Sequence, residues 1–290
     1  MSELILESNR LSVVFSSPGT FYTGSRFDWT GFITDITLDG RHPFCVDESL
    51  VPGIGTGGRG LCNEFGIHEP IGYEEARVGE CFPKLGIGLL KRTSEEEYRF
   101  WEPYEINPAP VEITSSANSI SFLTRSPQCN GYGATLKKEF TVENNRMRVE
   151  YFLTNTGKKD LKTTEYIHNF LNIDGKGVGP HCLLSFSFIP YGDNKPEVFK
   201  VSENTISFKA VPDKEFYWAL KGFEGSSTCS WSLIDQETGI GVKETCDFQA
   251  LKVAVWGKAH VVSPEIFIEL SVCPGETKSW TRSYEFISLK

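Results

Sequence analysis

The chain has 290 residues, with 39% hydrophobic and 23% charged side chains, the balance of a globular protein with a sizeable core. Its 29 Lys and Arg against 38 Asp and Glu leave a net charge of −9, which speaks against a nucleic-acid or anionic-membrane partner, because phosphates must be met by a basic face. The 21 Phe, 10 Tyr and 6 Trp exclude a disordered chain, and the 27 Gly and 15 Pro exclude a coiled coil.

The first residues, MSELILESNRLSVVF, carry two acids before the first Arg and no long apolar run, so no signal peptide is expected. No stretch reaches the roughly 18 apolar residues of a membrane span. A turn signal at Asp39-Gly40 precedes a Gly-rich and charged segment over residues 47–90, which is expected to be a long irregular excursion. Residues 73–80 and 94–102 have room for one or two helical turns each, and no longer window carries a helical stripe. Residues 134–153 predict a hairpin turning at Glu143-Asn144-Asn145. Met147, Val149, Tyr151 and Leu153 alternate with polar residues, as do Ile266, Ile268, Leu270 and Val272, and Trp280, Arg282, Tyr284 and Phe286. Such alternation marks half-buried antiparallel strands. Further turn signals stand at Thr156-Gly157, Glu237-Thr238-Gly239 and Pro274-Gly275-Glu276. With no repeat, linker or low-complexity tract, residues 1–290 are expected to form one all-β domain, a large antiparallel two-sheet sandwich. Eight cysteines without a CxxC pair read as buried free thiols in a reducing, cytoplasmic setting.

Several residues are candidates for chemistry. The string GIGTGGRG (53–60) lacks the ending of a phosphate loop and reads as a flexible loop, from which Arg59 can still reach a ligand hydroxyl. His168 sits among Glu165, Asn169, Asn172 and Asp174, a polar density that lines either a cavity or a hydrogen-bonding network. A lone His in a strand is structural more often than catalytic. Glu265, after Ser263-Pro264, is a general base or a solvated edge charge, with Trp256 and His260 close by in sequence. Arg26, Arg59, Arg77 and Lys84, each beside Gly or an aromatic residue, are candidate ligand contacts or surface ion pairs. There is no GxSxG nucleophile elbow and no HExxH metal site, and neither a cofactor nor a metal is expected.

The stretch EYIHNFLNIDG resembles the histidine-bearing strand of the aldose 1-epimerase (galactose mutarotase) superfamily. SPEIFIELSVCPGETKSWTRSYEF is similar to that superfamily's C-terminal segment, and TGSRFDWTGFITDITLDGRHPFC to its opening hairpin. The resemblance covers most of the chain in order and points to a divergent bacterial branch. It implies a galactose mutarotase-like sandwich with a sugar cleft on one sheet, His168 as general acid to the ring oxygen and Glu265 as base on the anomeric hydroxyl. Glu269, on the same strand face, is the alternative base. Where the family carries a second histidine in an HGxxR stretch, this chain has FPKLGIGLLKR, with Lys84 the nearest polar residue and His68 a possible substitute. Arg26, Arg59, Arg77, Lys84, Asn169, Trp256 and His260 are then candidate sugar ligands, and Trp29, Trp101, Trp218 and Trp256 candidate stacking platforms. The expected activity is mutarotation of a free sugar by a monomer or homodimer. The alternatives are a non-catalytic carbohydrate-binding protein of the same fold, which the absent histidine favours, and a hexose-phosphate epimerase, which would need several basic side chains at one end of the cleft.

Overall fold

Alternation in the sequence is realised as antiparallel strands in the computed structural model, which describes residues 4–288. The predicted hairpin is present: Tyr132–Glu143 pairs with Arg146–Asn155, and Asn144 turns the corner at a φ of 52°. The two C-terminal alternating segments lie inside the strands Val261–Val272 and Thr277–Ser288. No helix occurs among the described residues. Residues 73–80 supply a single turn, in which the Ala76 N–H donates to Gly72 O, and residues 94–102 form turns and bends.

One sheet runs through Leu4–Glu7, Leu11–Phe15, Ile33–Leu38, Gly60–Phe65, Leu161–Phe170, Val261–Val272, Lys252–Lys258 and Phe216–Leu220, with His42–Pro43 added beside Ile33–Leu38. The second runs through Phe199–Ser202, Thr205–Phe208, Cys182–Phe186, Cys229–Asp235, Ile240–Cys246, Thr277–Ser288, Arg146–Asn155, Tyr132–Glu143, Ser119–Cys129 and Val111–Ser115. A small third sheet joins Cys81–Lys84, Gly88–Lys91 and Ile106–Pro108. The 47–90 segment is therefore not irregular throughout. Gly60–Phe65 is a central strand of the first sheet, between Ile33–Leu38 and Leu161–Phe170. It shows no alternation because it is buried on both faces, where Asn63 Nδ2 donates to Tyr166 O and Glu64 Oε2 accepts from Arg26 and Tyr166.

The two large sheets meet across a layer of apolar side chains, with Phe15 against Phe122 and Phe140 and Phe44 against Phe286. Within this layer lies a fully buried charge cluster. Arg282, on the second sheet, donates through Nη2 to Glu165 Oε2 on the first at 2.7 Å and through Nη1 to Glu244 Oε1 at 2.7 Å. Trp280 Nε1 donates to Glu165 at 3.2 Å, Trp231 Nε1 to Glu244 at 2.6 Å, and Asn63 Nδ2 to the other oxygen of Glu165. Trp218 also belongs to this interior, packed against Phe199, so it is a core residue and not a sugar platform.

A buried ion cluster contributes little net stability while whole, but removing one member strands the opposite charges in a low dielectric at about 3–5 kcal/mol. Arg282→Ala leaves two buried carboxylates uncompensated. It is expected to lower the unfolding free energy by about that amount in urea titrations, and a loss under 1 kcal/mol would contradict the cluster's geometry.

Candidate active site

Side chains of a strand alternate between its two faces, so every second residue of the first sheet points away from the second sheet. Along Leu161–Phe170 these are Tyr166, His168 and Phe170; along Val261–Val272 they include Glu265 and Phe267; along Lys252–Lys258 they are Lys252, Ala254, Trp256 and Lys258. All of these but Phe170 and Ala254, with Arg26, Glu48, residues 54–56 and 67–68, Phe100, Glu215 and Tyr217, line a cleft of about 620 Å³, within the usual range for small-molecule sites.

The Ser263-Pro264 dipeptide makes room at its floor. The ladder between Leu161–Phe170 and Val261–Val272 stops after Glu165 opposite Ile268 and resumes only as a bridge between Leu171 and Val262. Across the gap the Asn169 N–H donates to Ser263 Oγ at 2.9 Å, and Asn169 Nδ2 to Pro264 O at 2.7 Å. His168 and Glu265 flank this opening. His168 Nε2 lies 3.3 Å from Glu265 Oε1, which also accepts from Ser263 Oγ at 3.2 Å. The imidazole is stacked on Phe170, with centroids 3.9 Å apart, and Trp256 meets it edge-on at 4.9 Å. Its Nδ1 is buried without a partner, so Nε2 is the nitrogen that faces Glu265.

Both groups are buried, and burial is the largest influence on each. It holds the His168 pKa well below the ordinary imidazole value, helped by the positive charges of Arg26 and Lys258. It pushes the Glu265 carboxyl up to about 8, against the opposing pull of Arg26 and Lys252. The pair therefore favours states with little net charge, and near neutral pH it shares one proton beyond those of the neutral imidazole and the carboxylate.

Arg26 forms one wall. Its Nε donates to Glu64 Oε2 at 2.9 Å, Nη1 to Thr56 Oγ1 at 2.9 Å and Nη2 to Tyr166 Oη at 3.0 Å. The guanidinium lies between the rings of Phe27 and Phe100, 4.4 and 4.2 Å from their centroids. The glycine string turns the chain tightly here. Gly55, at a φ of +87°, lets the Glu48 carboxylate approach the backbone, where it accepts from the Thr56 N–H and hydroxyl. A Cβ on Gly58 would stand 2.2 Å from the Phe170 ring that supports His168.

Of the residues singled out from sequence, the cleft gathers His168, Glu265, Arg26 and Trp256. Asn169 is turned to the opposite face, where it accepts from Tyr284 Oη at 3.1 Å and cannot meet a ligand in the cleft. Lys84 is sealed beneath the wall, 3.2 Å from Tyr98 Oη and 3.9 Å from Glu64, and burial lowers its pKa to about 8. Arg59 is tied outside the cleft to Thr34 O and Asp47, Arg77 is exposed on the 73–80 turn, and His260 Nε2 meets Asp47 O at 3.1 Å. Trp29 bonds Gly24 O, and Trp101 is exposed beside a neighbouring groove, so neither lines this cleft. Glu269 is exposed beyond it. His68 stands at the rim, edge-on to Phe100. Tyr166, Phe267, Lys252 and Lys258 were legible but unread: they fall at even spacings from His168, Glu265 and Trp256, and period two puts them on the same face. Among the described residues no three His, Cys, Asp or Glu side chains are grouped to hold a metal ion.

The chain matches no protein-family model and no curated protein. Among solved structures it is similar to a galactose mutarotase-like protein from Lactobacillus casei ATCC 334, with a TM-score of 0.65, 11% identity, and 99% of this chain and 100% of that one covered. A galactose mutarotase related enzyme from Lactobacillus acidophilus aligns with a TM-score of 0.61 at 14% identity over 99% of this chain and 98% of that one. A galactose mutarotase-like protein from Clostridium acetobutylicum aligns with a TM-score of 0.63 at 10% identity over 98% and 95%. At these identities the likeness establishes the galactose mutarotase-like sandwich as the fold of this chain.

The raised pKa of Glu265 has a consequence for stability. Its folded value, about 8, lies above its ordinary 4.5, so the neutral acid folds without penalty below 4.5, and a penalty grows as pH rises from there to about 8, above which it is constant. Glu265→Gln removes that titration. The difference in Tm between variant and wild type is expected to move in the variant's favour between pH 5 and pH 9 by thermal unfolding; a pH-independent difference would mean that Glu265 is ionised throughout.

Proposed function

We propose that this protein is an aldose 1-epimerase-like mutarotase that interconverts the α and β anomers of a sugar by acid–base ring opening. The observation that carries the proposal is the contact between His168 Nε2 and Glu265 Oε1 on the floor of the cleft. Mutarotation needs one group to take the proton of the anomeric hydroxyl and another to protonate the ring oxygen. The C1–O5 bond then breaks, an aldehyde forms, C1 rotates about C1–C2, and the hydroxyl at C5 recloses on the other face with the two proton transfers reversed. A pair holding a single exchangeable proton suits this cycle: once that proton has moved from Glu265 to His168 across their 3.3 Å contact, the carboxylate accepts from O1 while the imidazolium donates to O5, and reclosure resets both. Each such transfer contributes roughly 10²–10⁴-fold. Arg26, pre-fixed by Glu64, Thr56 and Tyr166, and the edge of Trp256 orient the sugar. All eight cysteines are free, which supports placing the protein in the cytoplasm.

A second reading, a carbohydrate-binding protein without catalysis, is favoured by one observation. Lys84, in the region of the family's second histidine, is sealed away, so only His68 at the rim supplies another imidazole.

Exchange NMR of anomer interconversion over a panel of aldoses separates the two. Wild type is expected to accelerate anomerisation of at least one aldose, and His168→Ala and Glu265→Gln each to lower kcat/KM by about 10²–10⁴-fold. The double variant is expected to fall little further, because the two groups act as a unit. Binding without acceleration would establish the binding-protein reading.

The pH profile follows from the same pair. Above the Glu265 value of about 8 the shared proton is lost, so kcat/KM is expected to fall with an alkaline limb near pH 8. A rate that rises through pH 8 would mean that the pair works without that proton.

A further inference from the structure

Three cations line the cleft, and two are committed. Arg26 donates through all three of its nitrogens to Glu64, Thr56 and Tyr166. Lys258 is paired with Glu215 at 3.3 Å, a carboxylate that also holds Trp256 Nε1. Lys252 differs. Among the described residues its ammonium makes no ion pair or hydrogen bond, and it lies over two ring faces, Phe267 at 4.6 Å and Tyr217 at 5.3 Å. These rings line the cleft with it and hold the side chain along the sheet surface.

Its place in the ladder is informative. Lys252 is directly opposite Phe267, and Glu265 is the next residue on the same face of that strand. Such diagonal neighbours stand roughly 7–8 Å apart, a span on the scale of one six-membered sugar ring. The charge of Lys252 is felt at both ends of this span, lowering the pKa of Glu265 and, after burial, that of His68 at the rim. With Glu265 largely protonated at neutral pH, no carboxylate in the cleft answers Lys252, in a chain whose net charge is −9.

We propose that the cleft takes an anionic sugar, with the acid–base pair at the anomeric carbon and Lys252 meeting a phosphate or carboxylate group at the far end of the ring. This deepens the mutarotase reading and rests on it for the placement of the anomeric carbon. An ammonium on a flexible stem serves either group as a point charge.

The test compares glucose, glucose 6-phosphate and glucuronate with wild type, Lys252→Met and Lys252→Arg, using calorimetric binding alongside exchange NMR. Lys252→Met keeps the apolar stem on Phe267 and Tyr217 and removes only the charge. Wild type is expected to prefer at least one anionic sugar over glucose by tenfold or more in affinity and in kcat/KM. That preference is expected to collapse toward unity in Lys252→Met and to persist in Lys252→Arg. A preference for the phosphate alone or the carboxylate alone identifies the group. Equal binding of all three sugars, or a preference that survives Lys252→Met, would overturn the assignment. A Lys252-dependent preference in binding with no anomerisation of any sugar upholds the anion site and removes the mutarotase reading, whereas anomerisation indifferent to charge does the reverse.

Discussion

The contact between Arg282 and Glu165 ties the two sheets together at a strand that must serve both of its faces. Glu165, Ile167 and Asn169 project into the interior, and Tyr166, His168 and Phe170 into the cleft. A slip of one residue would exchange these sets, driving His168 into the apolar interior and Glu165 out of reach of its partner. Because a slip would take Glu165 away from Arg282 and leave Glu244 its one carboxylate partner, the interior charge cluster favours the register that gives the cleft its histidine. The cluster's value to the molecule lies in that specification more than in net stability.

The same logic governs the cleft's chemistry. His168 and Glu265 are kept from bulk water by Phe170, Trp256 and Phe267, and burial penalises the imidazolium and the carboxylate alike, so the imidazole falls and the carboxyl rises past it. The shared proton therefore rests on the carboxyl in the free protein, and the proposed cycle begins with its transfer to the imidazole.

The strands that alternate were legible because each has one apolar side; the hairpin at 132–155 and both C-terminal strands lie where the pattern put them. Gly60–Phe65 escaped because a strand covered on both faces has no alternation to read, and its neighbours' glycines suggested a loop. Within the candidate site the difficulty was one of face. Glu165 and Asn169 looked like cavity residues beside His168, yet odd spacing from it sends them to the opposite side. Lys84 and His260 depended on how distant loops fold over the sheet, which no local pattern encodes. Lys252 and Phe267 lay within reach of simple counting from Trp256 and Glu265.

The order of strands in the first sheet also bears on how the chain is made. Leu161–Phe170 sits between Gly60–Phe65 and Val261–Val272, its last neighbour arriving roughly a hundred residues later in synthesis. Until then one edge of that strand stands open, with unpaired amides and carbonyls and apolar flanks, the kind of surface that draws other chains into pairing. A chain interrupted between residues 170 and 261 would own the histidine but neither its carboxylate nor the strand that shields it. Safe passage of this protein from ribosome to native state accordingly hinges on the arrival of Val261–Val272, and chaperone engagement of the nascent chain should concentrate on that exposed edge.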